Sequence, residues 1–191
     1  MNAELRIVIL YEDTRGPTKD FGLHKLIEAC IYDIVDGQRH LLVRALEGRQ
    51  SNGDSKLLRV CRQDIGDISP KGHPVVAVFD NDRIRRLLGL ARETEHTVVI
   101  DKIKHGCAAP AQLFVFLLEE NMESVVEAAG LCDPSISRAM LTEALRKNLA
   151  ARDVVLKEVC RGDKQTARDC VLGKVPSLQP LIQQCARWLL A

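Results

Sequence analysis

The stretch that decides the fold is VVAVFDND, residues 75–82. Its first five residues are apolar and mostly β-branched, which is typical of a strand buried on both faces of a parallel sheet. The run stops at Asp80 and Asp82, which are separated by one residue. In an extended segment residues i and i+2 point the same way, so we expect the two carboxylates to converge. Converging carboxylates repel each other unless a cation lies between them.

Other segments repeat this pattern of a buried strand followed by acids. LRIVILYED, residues 5–13, predicts a first strand that ends at Glu12. AQLFVFLL, residues 111–118, predicts a strand that is followed by Glu119 and Glu120. In parallel sheets the carboxyl ends of the strands form the edge where ligands bind, so we expect these acids to lie at that edge.

The remaining segments supply further strands and the helices between them. Two more strands are predicted over residues 39–46 and 96–101, and residues 47–55 are predicted to form a polar loop whose Asp54 or Ser55 caps a short helix. Helical periodicity marks residues 21–35, 56–63 and 82–94. Strands that alternate with helices predict βαβ units and a mostly parallel sheet.

From residue 121 onward the pattern changes to helices separated by Asp-Pro, Arg-Gly-Asp and Val-Pro breaks. The sequence therefore predicts an α/β fold, with a mostly parallel sheet flanked by helices in residues 1–130. Residues 131–191 are predicted to form a C-terminal helical extension packed on that core.

The composition narrows the class of protein. The 191 residues carry 27 basic and 26 acidic side chains, for a net charge of +1, so no global charge attracts nucleic acid or a membrane surface. The 7 cysteines include no C-x-x-C pair and fall mostly in apolar segments, where free cysteine behaves as a small buried hydrophobe. No apolar stretch is long enough to span a membrane. We therefore expect a protein of the reducing cytoplasm that has no membrane partner.

The acids at the strand ends predict a site for a divalent cation. Oxygen ligands in low number suit Mg²⁺ or Mn²⁺, which keep several water molecules and are held by one or two carboxylates together with substrate phosphates. The alternative is that each acid caps a helix or is solvated in a loop. The placement of Glu12, Asp80 and Asp82 at one edge of the predicted sheet favours the cation site.

This arrangement resembles the Toprim domain of topoisomerases, DnaG-type primases and overcoming-lysogenization-defect nucleases. In ILYED a glutamate follows the first strand, and in VFDND a D-x-D motif follows a later strand. The similarity covers residues 5–120 and implies a Toprim-like sheet flanked by helices. EENMES, residues 119–124, is similar to an N-x-E motif of small stand-alone Toprim-like proteins, and VPSLQPLIQQCARWL, residues 175–189, is similar to their tails.

The resemblance implies a role for each acid. Glu12, Asp80 and Asp82 would be the catalytic residues, with Glu12 in proton transfer or as a metal ligand and the two aspartates as ligands of Mg²⁺ or Mn²⁺. Glu120 or Glu123 would complete a second metal position. Two metal ions clamp the attacking and leaving oxygens of a phosphodiester in many hydrolases.

Basic residues near these acids are candidates for binding phosphate. Arg15 and Lys19 lie in the loop after the first predicted strand, Lys56 follows an Asn-Gly turn, and Arg83 follows the D-x-D motif. The alternative for Arg83 and the two arginines after it is an exposed helix face.

These features predict a metal-dependent nuclease or phosphodiester hydrolase. The expected partners are nucleic acid, with DNA favoured, and an ATPase protein, in prokaryotic defence or DNA processing. A topoisomerase would need a tyrosine nucleophile, and the 2 tyrosines, Tyr11 and Tyr32, fall within the first predicted strand and helix.

Two alternatives remain open. A non-catalytic Toprim-fold scaffold or regulatory subunit is favoured by Asp13, which stands where Toprim domains usually place a glycine after the glutamate. An enzyme of nucleotide sugars, in which D-x-D binds a metal diphosphate, would leave Glu12 without a task.

Overall fold

The structure is a computed structural model that describes residues 5–12, 21–35, 45–69, 71–119, 121–146 and 148–191. Along the chain its elements are β1 (Ile7–Tyr11), α1 (Gly22–Ile34), β2 (Leu46–Gln50), α2 (Asp54–Gln63), α3 (Ile65–Ile68), β3 (Val75–Asp80), α4 (Asn81–Leu87), α5 (His96–Lys104), β4 (Leu113–Leu118), α6 (Met122–Cys132), α7 (Arg138–Leu145), α8 (Leu149–Val159), α9 (Gln165–Lys174) and α10 (Gln179–Leu190).

The described residues fall into two compact units. The first unit combines residues within 1–19 and 43–119, and the second combines residues within 20–42 and 120–191. The sequence-based boundary near residue 130 differs from this division, because α1 groups with the C-terminal helices rather than with the strands that precede and follow it in the chain.

The first unit is built on a parallel sheet with the strand order β2-β1-β3-β4. The strands are aligned so that their carboxyl ends form one edge. Tyr11 lies level with Gln50 and Val78, and Asp80 lies level with Leu118. The residues that directly follow β1, β3 and β4 therefore meet at this edge. The prediction of an α/β fold with a parallel sheet flanked by helices and followed by a helical C-terminal region is confirmed.

The two central strands, β1 and β3, are buried on both faces, as their continuous apolar runs predict. Every residue of β1 and the first five residues of β3 are at most 3% exposed. On one face Leu10 and Phe79 pack with Leu57 and Cys61 of α2. Burying a side chain of the size of Leu or Phe contributes about 1.5–3 kcal/mol, so this core holds the strand ends in place.

One strand prediction is wrong. Residues 96–101, predicted as a strand, belong to the helix α5. The buried residues of this segment are Val99 and Ile103, one helical turn apart, while Val98 is 43% exposed. A short apolar run does not distinguish a strand from a helix by hydrophobicity alone, and here the helical spacing decides.

The second strand lies later in the chain than predicted. The predicted strand over residues 39–46 falls mostly outside the described residues, and β2 occupies positions that the sequence suggested to be loop. Among the described strands β2 pairs with β1 alone, at the edge of the sheet, so it accommodates polar side chains. Glu47 accepts a hydrogen bond from Arg49 Nε at 2.7 Å and also pairs with Arg6.

The second unit is a group of helices held by polar contacts as well as by apolar packing. Arg168 is 2% exposed, and its guanidinium donates to both carboxylate oxygens of Asp33, at 2.5 and 2.7 Å. Gly22 lies so close to α8 that an added Cβ would be 2.8 Å from Cβ of Leu156.

Cysteine usage differs from the sequence-based expectation in one place. Cys132 at the end of α6 and Cys170 of α9 form a disulfide, although the cysteine pattern was expected to suit a reducing compartment. Cys30, Cys61 and Cys185 are free and buried, as predicted. Within the described ranges no helix combines the length and the apolar character that a membrane span requires.

Candidate metal centre at the strand ends

Glu12 connects the end of β1 to the end of β3. Its Oε2 accepts a hydrogen bond from the backbone N–H of Asp80 at 3.1 Å, and its Oε1 accepts one from Nη1 of Arg83 at 3.2 Å. The Glu12 side chain is 19% exposed. The structure thus brings Glu12 and Asp80 together at the edge where parallel sheets bind ligands.

A third acid, Asp54, joins them because of the turn that precedes α2. Asn52 has a φ of 56° and Gly53 a φ of 104°, a backbone that asparagine and glycine adopt most readily. The backbone N–H of Gly53 donates to the carbonyl oxygen of Glu12 at 2.6 Å. This hydrogen bond ties the turn to the end of β1, so α2 begins with Asp54 beside Glu12.

Burial and neighbouring carboxylates raise the pKa of Glu12 from 4.5 to about 8. Burial is the largest cause, a hydrogen bond with the Asp54 carboxyl is the next, and the negative charges of Asp54 and Asp80 add to both. The N–H of Asp80 acts in the opposite direction because it stabilises the charged form. Without a cation, Glu12 therefore holds a proton near neutral pH.

The partner carboxylate is incompletely satisfied. Oδ1 of Asp54 is buried and has no hydrogen-bond partner among the described residues. Two carboxylates only accept hydrogen bonds, so the pair is stable when it shares a proton or when a cation replaces that proton.

These residues fit a hard divalent cation with few protein ligands. In the described part of the chain no three His, Cys, Asp or Glu side chains form a ready-made metal cage. Mg²⁺ does not require one, because it is commonly held by one or two carboxylates and takes its other ligands from water and substrate phosphate. The unpaired oxygen of Asp54 and the proton-holding carboxyl of Glu12 are a donor set of that kind.

The D-x-D motif has a different geometry from the predicted one. The expectation that residues 80–82 are extended is wrong, because α4 begins at Asn81. Oδ1 of Asp80 caps this helix by accepting from the N–H of Arg83 at 3.1 Å, which is the alternative role considered for a strand-end acid. The Asp82 side chain is 61% exposed and lies 3.8 Å from Nε of Arg92. Its role as a metal ligand stays a prediction.

Asn81 anchors a second polar network beside Asp80. Its Nδ2 donates to both carboxylate oxygens of Glu119 at 2.9 Å, and Glu119 in turn lies 2.5 Å from Nε2 of His96. Oδ1 of Asn81 accepts from Nε of the buried Arg85 at 2.8 Å. The network ties the ends of β3 and β4 to the start of α5, so hydrogen bonds fix the segment that carries the D-x-D motif.

The other predicted site residues are not gathered at this edge by any described contact. Glu123 belongs to the second unit, where its Oε1 accepts from Nη2 of Arg152 at 2.7 Å. Lys56 is exposed in the first turn of α2. Arg15, Lys19 and Glu120 lie outside the described residues, as does Asp13, so their roles remain predictions.

The sequence contained a signal for Asp54 that the misplaced second strand concealed. If β2 is placed at Leu46–Gln50, Asp54 becomes a strand-end acid by the same rule that identified Glu12 and Asp80. No such signal marked His96. Its partner Glu119 lies 23 residues further along the chain, and the fold alone brings the end of β4 next to the start of α5.

Comparison with known proteins gives one match of interest. The chain is similar to the C-terminal region of the OLD protein of Xanthomonas campestris pv. campestris, with 16% identical residues, a TM-score of 0.35, and coverage of 96% of this chain and 97% of that chain. No protein-family model matches the chain, and no curated protein does. The function is therefore inferred from the residues at the strand ends.

Proposed function

We propose that the chain is a divalent-metal-dependent phosphodiester hydrolase that acts on nucleic acid, with DNA favoured as the substrate. The observation that carries the proposal is the pairing of Glu12 with Asp54. Two carboxyl groups are held together beside a third at the ligand-binding edge of a parallel sheet, and one of their oxygens is buried without a partner.

In this proposal Glu12 and Asp54 hold Mg²⁺ or Mn²⁺. The bound cation would stabilise the negative charge that develops on the phosphoryl oxygens. The N–H of Asp80 keeps the Glu12 carboxyl in position, and the helix cap of Asp80 fixes that N–H in turn. Asp80 adds negative charge next to the pair and so favours a cation there.

Glu12 is protonated near neutral pH when no cation is bound, because its pKa lies at about 8. A cation that binds between Glu12 and Asp54 displaces this proton, and Glu12 then acts as a metal ligand. The exposed side chain of Arg83 pairs with Glu12 at 3.2 Å and is placed to move from the carboxylate to a substrate phosphate when a cation binds.

The nuclease reading is tested with labelled single-stranded and duplex DNA in Mg²⁺ or Mn²⁺. Wild type should cleave, and Glu12→Gln and Asp54→Asn should lose at least about a hundredfold in rate, the usual scale for one acid–base or metal-binding group. Glu127→Gln, an exposed glutamate of α6, is the matched control. A chain that cleaves equally well in all of these variants would remove Glu12 and Asp54 from the mechanism.

A scaffold without turnover is the second candidate, and Arg83 is the observation that favours it. Its guanidinium already supplies a positive charge to Glu12, so the acid cluster is partly neutralised by the chain itself. The two candidates respond differently to Arg83→Gln. A metal-dependent enzyme should keep or improve its cation affinity, whereas a scaffold should lose stability and still bind no metal.

The protein partner follows from the resemblance alone. A net charge of +1 gives the free chain little long-range attraction for DNA, so a partner that captures DNA would compensate for it. An ATPase is the proposed partner, in prokaryotic defence or DNA processing. Faster cleavage after an ATPase partner is added would support this arrangement, and a cleavage rate that the ATPase leaves unchanged would contradict it.

A further inference from the structure

A cavity opens beside the D-x-D segment in the first unit. It has a volume of about 450 Å³, within the range of small-molecule sites, and is larger than a single phosphate requires. Four of its five lining residues carry a charge; the five are Asp82, Arg85, Arg86, Leu90 and Arg92. Three arginines against one aspartate leave an excess of two positive charges, so the cavity is suited to an anion.

Arg85 gives the cavity a fixed donor. The residue is 4% exposed, and its guanidinium is held by Oδ1 of Asn81 through Nε and by the carbonyls of Ala91 and Thr94 through Nη1. The other terminal nitrogen, Nη2, has no hydrogen-bond partner in the described part of the chain. Arg85 lines the cavity, so Nη2 is not sealed inside the protein. A buried arginine with one free edge is preorganised for a phosphate oxygen.

Arg86 and Arg92 supply adjustable positive charge at the same cavity. Nε of Arg86 donates to the backbone carbonyl of Asp82 at 3.2 Å, and the Arg92 side chain is 87% exposed, 3.8 Å from the Asp82 carboxylate. The Asp82 carboxylate is thus the counter-charge of Arg92 when no anion is present. An incoming phosphate would compete with Asp82 for Arg92.

We propose that this cavity is a subsite for the sugar-phosphate backbone of the nucleic-acid strand. Arg85 is the fixed contact, and Arg86 and Arg92 close on the phosphate from the exposed side. Asp82 acts as an internal competitor that weakens binding. The assignment to a strand rests on the proposed function, because the cavity adjoins the segment that carries Asp80, but binding itself does not require cleavage.

Binding is measured in EDTA, so that no hydrolysis occurs, by the fluorescence anisotropy of a labelled oligothymidylate. Arg86→Gln with Arg92→Gln should weaken binding about tenfold and should reduce the slope of log affinity against log salt by about 1.4, the loss of two phosphate contacts on a single strand. Asp82→Asn should change affinity in the opposite direction, with binding about threefold tighter because a surface counter-charge is removed. Lys102→Gln is the control, because it removes one exposed positive charge near the C-terminal end of α5, a helix that contributes no residue to the cavity. It should leave the affinity and the salt slope unchanged.

Each contrary result has a definite meaning. Unchanged affinity and salt slope in the double variant would overturn the subsite, and so would weaker binding by Asp82→Asn. A mononucleotide that competes as well as the oligonucleotide would replace the strand by a free nucleotide as the ligand and overturn the assignment. If the wild type binds through the arginines but never cleaves, the subsite is supported and the proposed hydrolase is contradicted. If the wild type cleaves while the double variant binds normally, the hydrolase is supported and the subsite is contradicted.

Discussion

The protonation of Glu12 gives the sharpest prediction about stability. The folded-state pKa of about 8 lies above the ordinary value of 4.5, so the folded chain holds this proton more tightly than the unfolded chain does. The resulting contribution to stability is fully present below about pH 4.5 and is lost as the pH rises towards 8. Glu12→Gln cannot ionise and should not lose it.

The size of the effect follows from the same shift. A change from 4.5 to about 8 corresponds to about 5 kcal/mol if it is fully realised. Water that reaches the partly exposed side chain screens the interactions, so we expect about half of this, or about 2–3 kcal/mol. For a chain of this length that free energy equals about 5–10 °C in Tm.

The assay is urea or thermal unfolding of wild type and Glu12→Gln at pH 5 and pH 9. The variant should match the wild type at pH 5 and exceed it at pH 9, because only the wild type then carries the unfavourable carboxylate. The difference in stability between variant and wild type is compared at the two pH values, so the contributions of the other titrating groups cancel. Glu127→Gln controls for the loss of a surface charge. Identical pH profiles for wild type and Glu12→Gln would refute the reasoning.

Three further predictions concern the second unit. Asp33→Asn removes the partner of the buried Arg168 and should lower the free energy of unfolding by about 3–5 kcal/mol, measured in urea; a loss below about 1 kcal/mol would show that the pair is not holding the helices. Gly22→Ala places a Cβ 2.8 Å from Leu156 and should cost about 1–3 kcal/mol by the same measurement, whereas unchanged stability would mean that α1 and α8 are less closely packed. Reduction of the disulfide, which spans 38 residues, should lower stability by about 3–4 kcal/mol; an unchanged Tm with dithiothreitol, together with free thiols titrating at both positions in untreated protein, would show that the bond does not form.

The sequence was sufficient for β1, β3 and β4 because each of these strands is a continuous apolar run that is followed by acids. β2 was missed for the opposite reason, since LEGRQ reads as a loop and becomes a strand only by pairing along β1. That pairing is a tertiary interaction, which local propensity does not contain.

The candidate site was partly predictable on the same grounds. Glu12 and Asp80 were identified because parallel strand ends share an edge, which is a rule of topology. Predicting that Asp54 joins the site would have needed the correct position of β2. Predicting where the Asp82 side chain points would have needed the knowledge that a helix begins at Asn81. A one-residue difference in where a strand ends turns a carboxylate to another side, so motif spacing alone does not determine which acids converge.

The central claim is that Glu12 and Asp54 together bind one divalent cation. Titration of the purified chain with Mn²⁺ at pH 7.5, followed by calorimetry in two buffers of different ionisation enthalpy, tests it directly. The account predicts one Mn²⁺ per chain with release of about one proton from Glu12, and loss of both signals in Asp54→Asn. Wild type that binds no Mn²⁺, or Asp54→Asn that binds it with the same affinity and proton release, would contradict the account.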